Sequence, residues 1–254
     1  MKILFIYIAL IFIILIACKE STEPEENNSE VPQPIAYFPF NGNANDESGH
    51  GYNGTVVGAT ITNDRFGNTN SAYIFDGIDD YIYRVYSDTC EIFPTNNPFS
   101  VSVWFKTAVS SPVEPKILST HYAGVGHDGY WVGIENNSGS ILRWSFNAGT
   151  QGNDVYSINA VNDGQWHHVV GTRTNYKIYM YLDGELQSSG ATIDYGAVPY
   201  EYKPQFRIGH SHNTGGSLDS EYYFNGSIDD IRIYNCLLSD EAIQDLYHEG
   251  GWKQ

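Results

Sequence analysis

Apolar and polar residues alternate along much of the chain. In two segments the apolar side chains recur at every second position, and these are Val101, Val103 and Phe105 in the first segment and Ile178, Met180 and Leu182 in the second. A period of two places such side chains on one face of an extended segment, which is typical of antiparallel strands with one buried face. The pattern therefore predicts β-strands over residues 100–106 and 176–183.

Further short segments have the composition of strands. They cover residues 35–40, 72–75, 81–85, 130–135, 141–147, 166–172, 205–209 and 222–234. Turn dipeptides separate many of them, and these are Asn53-Gly54, Asp76-Gly77, Asp163-Gly164, Asp183-Gly184 and Asn225-Gly226. Asp183-Gly184 predicts a tight hairpin, because type I′ turns need two residues that tolerate a positive φ. Many short strands separated by turns predict an all-β sandwich or jelly roll.

Only one segment has a helical pattern. Ser239 provides a capping hydroxyl, and two acidic residues follow it at the positive end of the helix dipole. An apolar stripe comes next, and the glycines at 250 and 251 end it. We therefore predict a single short helix close to the C terminus.

The N terminus resembles an export signal. Residues 3–16 form an apolar run, which at roughly 14 residues is shorter than the about 20 that a membrane-spanning helix needs. The run ends in Leu15-Ile16-Ala17-Cys18, which resembles a bacterial lipobox, where the cysteine is lipidated and becomes the new N terminus. We therefore predict a lipoprotein signal peptide over residues 1–17. A lipid on Cys18 would hold the protein to the bacterial outer membrane, facing the surface or the periplasm, and an uncleaved anchor is the alternative.

The segment after the signal peptide, residues 18–34, is rich in Glu, Ser, Asn and Pro and has no apolar period. Such a segment cannot bury enough apolar surface to offset its ordering entropy. We expect it to be a flexible acidic tether. The remaining residues, 35–254, are within the length of one large β domain.

The chain is strongly acidic, with 13 Lys and Arg against 30 Asp and Glu and a formal net charge of −17. A nucleic-acid-binding protein needs the opposite sign to neutralise phosphates, so we exclude nucleic acid as a partner. An acidic exported domain is instead suited to Ca²⁺, which binds carboxylate and carbonyl oxygens.

The sequence contains three cysteines. With Cys18 assigned to the lipid, Cys90 and Cys236 remain, and an oxidising compartment permits a disulfide between them. Two unpaired thiols are the alternative that the sequence leaves open.

Four sequence motifs resemble the laminin-G-like domains of the concanavalin A-like lectin/glucanase superfamily. In chain order they are AYFPFNGNANDESG (36–49), AYIFDGIDDY (72–81), WHHVVGT (166–172) and NGSIDDIRIYN (225–235). The resemblance implies a jelly-roll β-sandwich of two antiparallel sheets with one short C-terminal helix. It leaves the ligand open, because the superfamily includes lectins, carbohydrate-binding modules, adhesion domains and some glycosidases.

The same resemblance implies one structural Ca²⁺ ion that links the first loop to the closing strand. The matching residues are Asp46, Ser48 and Asp229, whose carboxylate and hydroxyl oxygens suit this ion. Without a metal, Asp46 would cap a turn and Asp229 would accept backbone hydrogen bonds.

No catalytic set is apparent in the sequence, and we assign no catalytic residue. A glycosidase needs two carboxyl groups about 5–9.5 Å apart in one cleft. The doublets Asp79-Asp80 and Asp229-Asp230 are expected on strands, where neighbouring side chains point to opposite faces. Neither doublet therefore predicts an acid and base pair. A glycoside hydrolase or lyase whose acids come from distant strands is the alternative.

Aromatic residues with polar neighbours are candidates for ligand binding, since rings with a polar handle suit contact surfaces that are partly wet. These candidates are Tyr122, His127, Tyr130, Tyr200, His210 and His212. Trp131 and Trp144 are instead predicted to lie in the core. We predict a surface-anchored, non-catalytic domain that binds extracellular carbohydrate or a glycoprotein. An adhesion or structural module that binds another protein is a further alternative.

Overall fold

The computed structural model describes residues 31–84, 92, 97–110, 114–120, 129–135, 139–148, 151–189, 206–211 and 222–253. Within these ranges the chain forms two antiparallel sheets and one short α-helix. This architecture confirms the predicted jelly-roll sandwich.

The strands are short and come from the whole length of the domain. They are β1 (Ala36–Phe38), β2 (Thr55–Val57), β3 (Thr60–Thr62), β4 (Ala72–Asp76), β5 (Tyr81–Arg84), β6 (Phe99–Lys106), β7 (Lys116–Ser119), β8 (Gly129–Glu135), β9 (Ile141–Ala148), β10 (Gln151–Ala160), β11 (Trp166–Arg173), β12 (Ile178–Leu182), β13 (Glu185–Ser189), β14 (Phe206–Ile208) and β15 (Asn225–Tyr234). The helix α1 covers Asp240–Tyr247, and a 3₁₀ turn follows over Glu249–Gly251.

The strands are arranged in two layers. One sheet has eight strands in the order β13-β12-β11-β6-β15-β4-β3, with β1 paired to β15 beside β4. The other has seven strands in the order β10-β9-β8-β7-β14-β5-β2. Neighbours such as β6 and β15, or β5 and β14, are far apart in the sequence, as expected for a jelly roll.

The hydrophobic core lies between the two sheets. Every second residue of β6 and β12 is buried there, which confirms the predicted alternation, and these residues are Val101, Val103, Phe105, Ile178, Met180 and Leu182. Trp144 on β9 is fully buried in the same core. Its ring occupies the space beside Gly171, where a Cβ would come within 2.6 Å of the indole. A glycine on β11 therefore makes room for the tryptophan of the opposite sheet.

Two of the predicted turns have different outcomes. Asp183 and Gly184 have φ values of 52° and 79° and join β12 to β13, which confirms the hairpin. Asn225-Gly226 was expected to be a turn, but these residues begin β15. A Cβ at Gly226 would overlap the backbone carbonyl oxygen of Lys106 on β6. The glycine is needed for close packing of two strands, and the turn prediction is wrong for that reason.

The C-terminal segment covers the outer side of the eight-stranded sheet. Ser239 Oγ accepts the N–H of Ala242 at 3.2 Å, so the predicted helix cap is confirmed. The apolar side of α1 packs on Val170 and Tyr234 of the sheet. Beyond the helix, Trp252 packs against Trp104, with ring centroids 5.3 Å apart. Among the described residues, no helix covers the outer side of the seven-stranded sheet.

Candidate functional site

The outer face of the seven-stranded sheet carries a row of residues that runs across all seven strands. Directly opposed residues of neighbouring strands point to the same side of a sheet. The row consists of Thr55, Tyr83, Arg207, Ser119, Trp131, Ser145 and Asp154. The next row on the same face consists of Lys116, Gly133, Arg143 and Tyr156. We call the residues of these two rows the outer face.

Trp131 lies at the centre of the outer face between two cations. Lys116 Nζ is 3.6 Å from the ring centroid, and the guanidinium carbon of Arg143 is 4.6 Å from it. Gly133 separates the two cations, and a Cβ there would come within 2.8 Å of the Lys116 side chain. Trp131 is buried, but it contacts charged groups outside the core, so its predicted place in the core is wrong.

The two cations of the outer face are paired with acids. Lys116 Nζ bonds to Glu114 at 2.9 Å, and Arg143 bonds to Glu135 at 3.0 Å and to Asp154 at 2.8 Å. Burial lowers the pKa of Lys116 to about 8, even though Glu114 raises it. Burial alone would raise the pKa of Glu114, but Lys116, a hydrogen bond with Glu135 and the charge of Arg143 together outweigh burial and hold that pKa below its usual range.

Three polar atoms at one end of the outer face make no hydrogen bond with the described residues. They are Ser145 Oγ, Asp154 Oδ1 and Arg143 Nε, all of them buried. An unpaired buried polar group costs free energy that a hydrogen bond to another molecule would recover. The same end is open to solvent, since Tyr156 is 37 % exposed and the Asp154 side chain 30 %. This end of the face therefore offers a partly exposed ring to solvent, whereas the three unpaired atoms are closed off from it.

The predicted ligand residues have separate outcomes. Tyr130 lies in the core, with its ring 4.7 Å from that of Phe99, so its assignment to a binding surface is wrong. His210 is fully buried, and its ring stacks on Tyr223 at 4.0 Å. Arg207 Nη1 of the outer face donates to His210 Nδ1 at 3.1 Å. Tyr122, His127, Tyr200 and His212 lie outside the described residues.

Two of the predicted calcium ligands are in direct contact. Asp46 Oδ1 accepts the N–H groups of Tyr37 and Ser48, and Asp46 Oδ2 accepts the N–H of Tyr52 and the hydroxyl of Ser48 at 2.9 Å. Burial alone would raise the pKa of Asp46, but these hydrogen bonds together lower it by more. The pKa of Asp46 therefore lies below its usual value. The carboxylate thus ties the first loop to β1 by protein contacts.

The third predicted calcium ligand has a different partner. Asp229 Oδ2 is 3.0 Å from Arg65 Nη1, and the neighbouring Asp230 is 3.0 Å from Arg65 Nη2. The ladder of β15 is irregular here, and Asp230 has a φ of 48°. This bulge turns both carboxylates to one guanidinium, so the prediction that they point to opposite faces is wrong. Because a cation already occupies Asp229, the three residues do not fit one calcium site, and calcium rests on the sequence resemblance alone.

The other acidic doublet, Asp79-Asp80, was predicted to lie on a strand, and this prediction is also wrong. Oxygen atoms of Asp76, Asp79 and Asp80 lie within 4.8 Å of one another, because the segment is a turn after β4. Asp80 Oδ2 accepts the N–H of Asp76 at 2.9 Å, and Asp76 Oδ1 accepts that of Ile78 at 2.8 Å. These hydrogen bonds are those of a turn, and they explain why the three carboxylates lie close together.

Cys236 is a half-buried free thiol, and no disulfide is found in the described part of the chain. Its proposed partner Cys90 and the lipidation candidate Cys18 lie outside that part. No helix of the described residues has the length and apolar character to span a membrane.

Solved structures share this fold. Domain 4 of AbnA, a GH43 extracellular arabinanase from Geobacillus stearothermophilus solved in complex with arabinotriose, is 20% identical, with a TM-score of 0.63 over 85% of this chain and 98% of that domain. The receptor binding domain of botulinum neurotoxin D is 20% identical, with a TM-score of 0.64 over 85% of this chain. The binding domain of botulinum neurotoxin DC in complex with rat synaptotagmin II is 16% identical, with a TM-score of 0.63 and the same 85% covered. This chain spans about half the length of the toxin domains, 52% and 51% respectively.

No curated protein matches the chain. A family model does match, Laminin_G_3, which is described as concanavalin A-like lectin/glucanases superfamily and covers residues 75–244. The match extends from the end of β4 into α1 and so includes both sheets of the sandwich. The chain therefore belongs to the concanavalin A-like lectin/glucanases superfamily.

Proposed function

We propose that this chain is a non-catalytic domain that binds extracellular carbohydrate, free or on a glycoprotein, through the outer face of its seven-stranded sheet. The observation that carries the proposal is the outer face itself, a polar and aromatic sheet surface with Trp131 between Lys116 and Arg143 and the partly exposed ring of Tyr156 at one end. Sugars present apolar ring faces and hydroxyl groups, and such a surface complements both. The arabinanase domain of the same fold, solved with arabinotriose, supports the same class of ligand.

Binding without catalysis is favoured by the state of the acids on this face. A glycosidase needs a general acid whose pKa is raised. The pKa of Glu114 is instead lowered, and Glu135 and Asp154 each bond to Arg143. Among the described residues, the acid whose pKa burial raises most clearly is Asp229, to about 8, and it lies on the other sheet in contact with Arg65.

The proposed function is tested by presenting the purified domain, without its signal peptide, to a glycan array and a polysaccharide panel. We expect retention of at least one glycan class and no release of reducing sugar from any polysaccharide in the panel. Release of reducing sugar would show a glycosidase. Capture of a surface protein with no glycan bound would show an adhesion module, and either result overturns the proposal.

The lipid anchor is a separate part of the proposal. We expect the full chain, expressed in a Gram-negative host, to incorporate labelled palmitate and to enter the detergent phase of a Triton X-114 extraction, and Cys18→Ser to abolish the labelling. The reason is that lipidation of this cysteine adds long apolar chains, whereas residues 19–34 are polar. If the full chain enters the detergent phase without incorporating palmitate, residues 3–16 act as an uncleaved anchor instead.

A further inference from the structure

We infer that His167 carries a proton in the folded domain, that it clamps two turns together at one end of the sandwich, and that the clamp loosens when this proton is lost at alkaline pH. We call His167, Asp163 and Asp183 the proton clamp. The clamp is independent of the proposed function, since it belongs to the scaffold and not to the outer face.

The imidazole ring of His167 lies between two carboxylates that come from different turns. Nδ1 is 2.8 Å from Asp183 Oδ2, and Nε2 is 3.2 Å from Asp163 Oδ1. Asp163 lies in the turn between β10 and β11, and Asp183 lies in the turn between β12 and β13. The ring is buried and packs on the core residue Phe105, with ring centroids 5.8 Å apart. One side chain therefore joins two turns at the end of the core.

The geometry requires both ring nitrogens of His167 to donate. Asp163 Oδ1 also accepts the backbone N–H of Gln165 at 2.8 Å. Asp183 Oδ1 accepts the backbone N–H of His168 at the same distance. Both carboxylates thus act as acceptors. A neutral imidazole has one N–H group and could satisfy only one of them, whereas the imidazolium has two and fits between them.

The charges that act on the ring favour the proton. Burial alone would lower the pKa of His167, but the hydrogen bonds and charges of Asp183 and Asp163 together raise it above its usual value. Strand β6 presents the uncharged Phe105 to the ring, whereas its Lys106 lies over the Trp166 ring on the other side of the sheet. On α1, the ionisable Tyr247 interacts with Asp183.

The clamp connects neighbouring parts of the fold. Gln244 of α1 donates to the carbonyl oxygen of Gly184, next to Asp183, at 2.8 Å. Loss of the proton leaves one N–H on the ring, so one of the two carboxylates must lose its hydrogen bond. The contact to Asp163 is the longer one, and the Asp163 side chain is 54% exposed against 19% for Asp183. Alkaline pH is therefore expected to release the turn between β10 and β11 and to leave the hairpin at Asp183 in place.

Thermal unfolding of the purified domain and of its His167→Gln variant at several pH values tests the clamp. A folded-state pKa above the unfolded one gives stabilisation that is complete below the unfolded value, about 6.5, and is lost as pH rises through the folded value. We expect the difference in Tm to be largest at about pH 6 and to fall by about half or more at pH 9. Groups that titrate in both proteins cancel in this difference. A difference that does not change with pH overturns the clamp.

Nitrogen-15 NMR of the histidine rings measures the proton directly. The signals of His167 are identified by their loss in His167→Gln. We expect both of its ring nitrogens to carry a proton at pH 7 and to titrate with a midpoint above about 6.5. A neutral His167 ring at pH 7 overturns the inference.

Asp163→Asn tests the same contact without altering the histidine, so the test remains decisive if His167→Gln does not fold. Because this change removes one of the two charges on the ring, the midpoint of His167 should fall. Asp245→Asn is the matched control, since it removes an exposed acid of α1, and it should leave the midpoint unchanged. An Asp163→Asn variant with the midpoint of the unchanged domain overturns the clamp. None of these measurements involves a ligand, so the proposed function stands or falls separately.

Discussion

Arg65→Ala is expected to lower the free energy of unfolding by about 3–5 kcal/mol, since removing one partner of a buried ion pair leaves the other charges uncompensated. Arg65 is 5% exposed, bonds to Asp229 and Asp230, and packs on the Trp104 ring at 4.5 Å. Without it, two neighbouring carboxyl groups would remain buried with much less compensation. Urea unfolding of the domain at neutral pH measures the loss.

The control for Arg65→Ala is Glu249→Gln. Glu249 lies 4.0 Å from Arg65, but its side chain is 45% exposed, so we expect a loss below about 1 kcal/mol. Equal losses in the two variants would contradict the role of the buried pair.

The loss in Arg65→Ala should also depend on pH. Burial, together with Asp230, already raises the pKa of Asp229 to about 8, and Arg65 opposes this shift. A folded-state pKa above the unfolded one favours the folded state below the unfolded pKa, and this stabilisation is lost as pH rises through the folded value. Removing Arg65 raises the folded pKa of Asp229 further. The destabilisation should therefore be constant between pH 5 and about pH 7 and increase above about pH 8, where Asp229 ionises in the unchanged domain but not yet in the variant.

Gly226→Ala is expected to cost about 3 kcal/mol or more, from overpacking and backbone strain together. Its φ is 150°, and the new methyl group would overlap the carbonyl oxygen of Lys106 on the paired strand β6. Backbone atoms of two central strands cannot move apart without breaking their ladder, so the clash is not relieved locally.

A substitution at a second glycine separates the cost of the clash from the cost of backbone strain. Gly139 also has a positive φ, 91°, but nothing lies within 4 Å of the position that its Cβ would take. We expect Gly139→Ala to cost about 1 kcal/mol from backbone strain alone. Thermal unfolding of both variants gives the comparison, and a Gly226→Ala variant no less stable than Gly139→Ala would show that the two strands can separate.

Features that depend on adjacent residues could be predicted from the sequence. The hairpin at Asp183 and Gly184 follows from two residues that tolerate a positive φ, and the helix cap at Ser239 from one hydroxyl. The alternation on β6 and β12 is regular enough to fix the buried face of each strand. In all these cases the physical cause lies within a few residues of its effect.

The orientation of Trp131 could have been predicted from the alternation along its own strand, but its hydrophobicity led to the wrong prediction. Tyr130, Val132 and Ile134 share one parity and are all in the core. Trp131, Gly133 and Glu135 share the other parity, and a glycine and a glutamate indicate an outward face. The parity of the whole strand therefore predicts the orientation of Trp131 better than its hydrophobicity does.

Other parts of the site depend on distant contacts and left no local signal. β10 was missed, since its sequence QGNDVYSINA is mostly polar, and the strand is defined by pairing with β9 at the end of the sheet. The bulge at Asp230 arises where β15 meets β6 and Arg65. The order of the strands places Asp154 next to Ser145, and no spacing within either strand specifies that order.

The position of β1 determines how a tethered domain would be oriented. The chain enters the sandwich beside α1, where Val31 packs on the helix cluster and the Ile35 N–H bonds to the Ile233 carbonyl at 2.7 Å. This entry point belongs to the eight-stranded sheet, on the side opposite the outer face. The tether was predicted over residues 18–34, but Val31 already packs on the fold, so its predicted flexible part is 18–30, for which a random coil would span roughly 20 Å on average. A lipid on Cys18 would thus attach the domain from the helical side of the sandwich and leave the outer face free to meet a ligand in the surrounding medium.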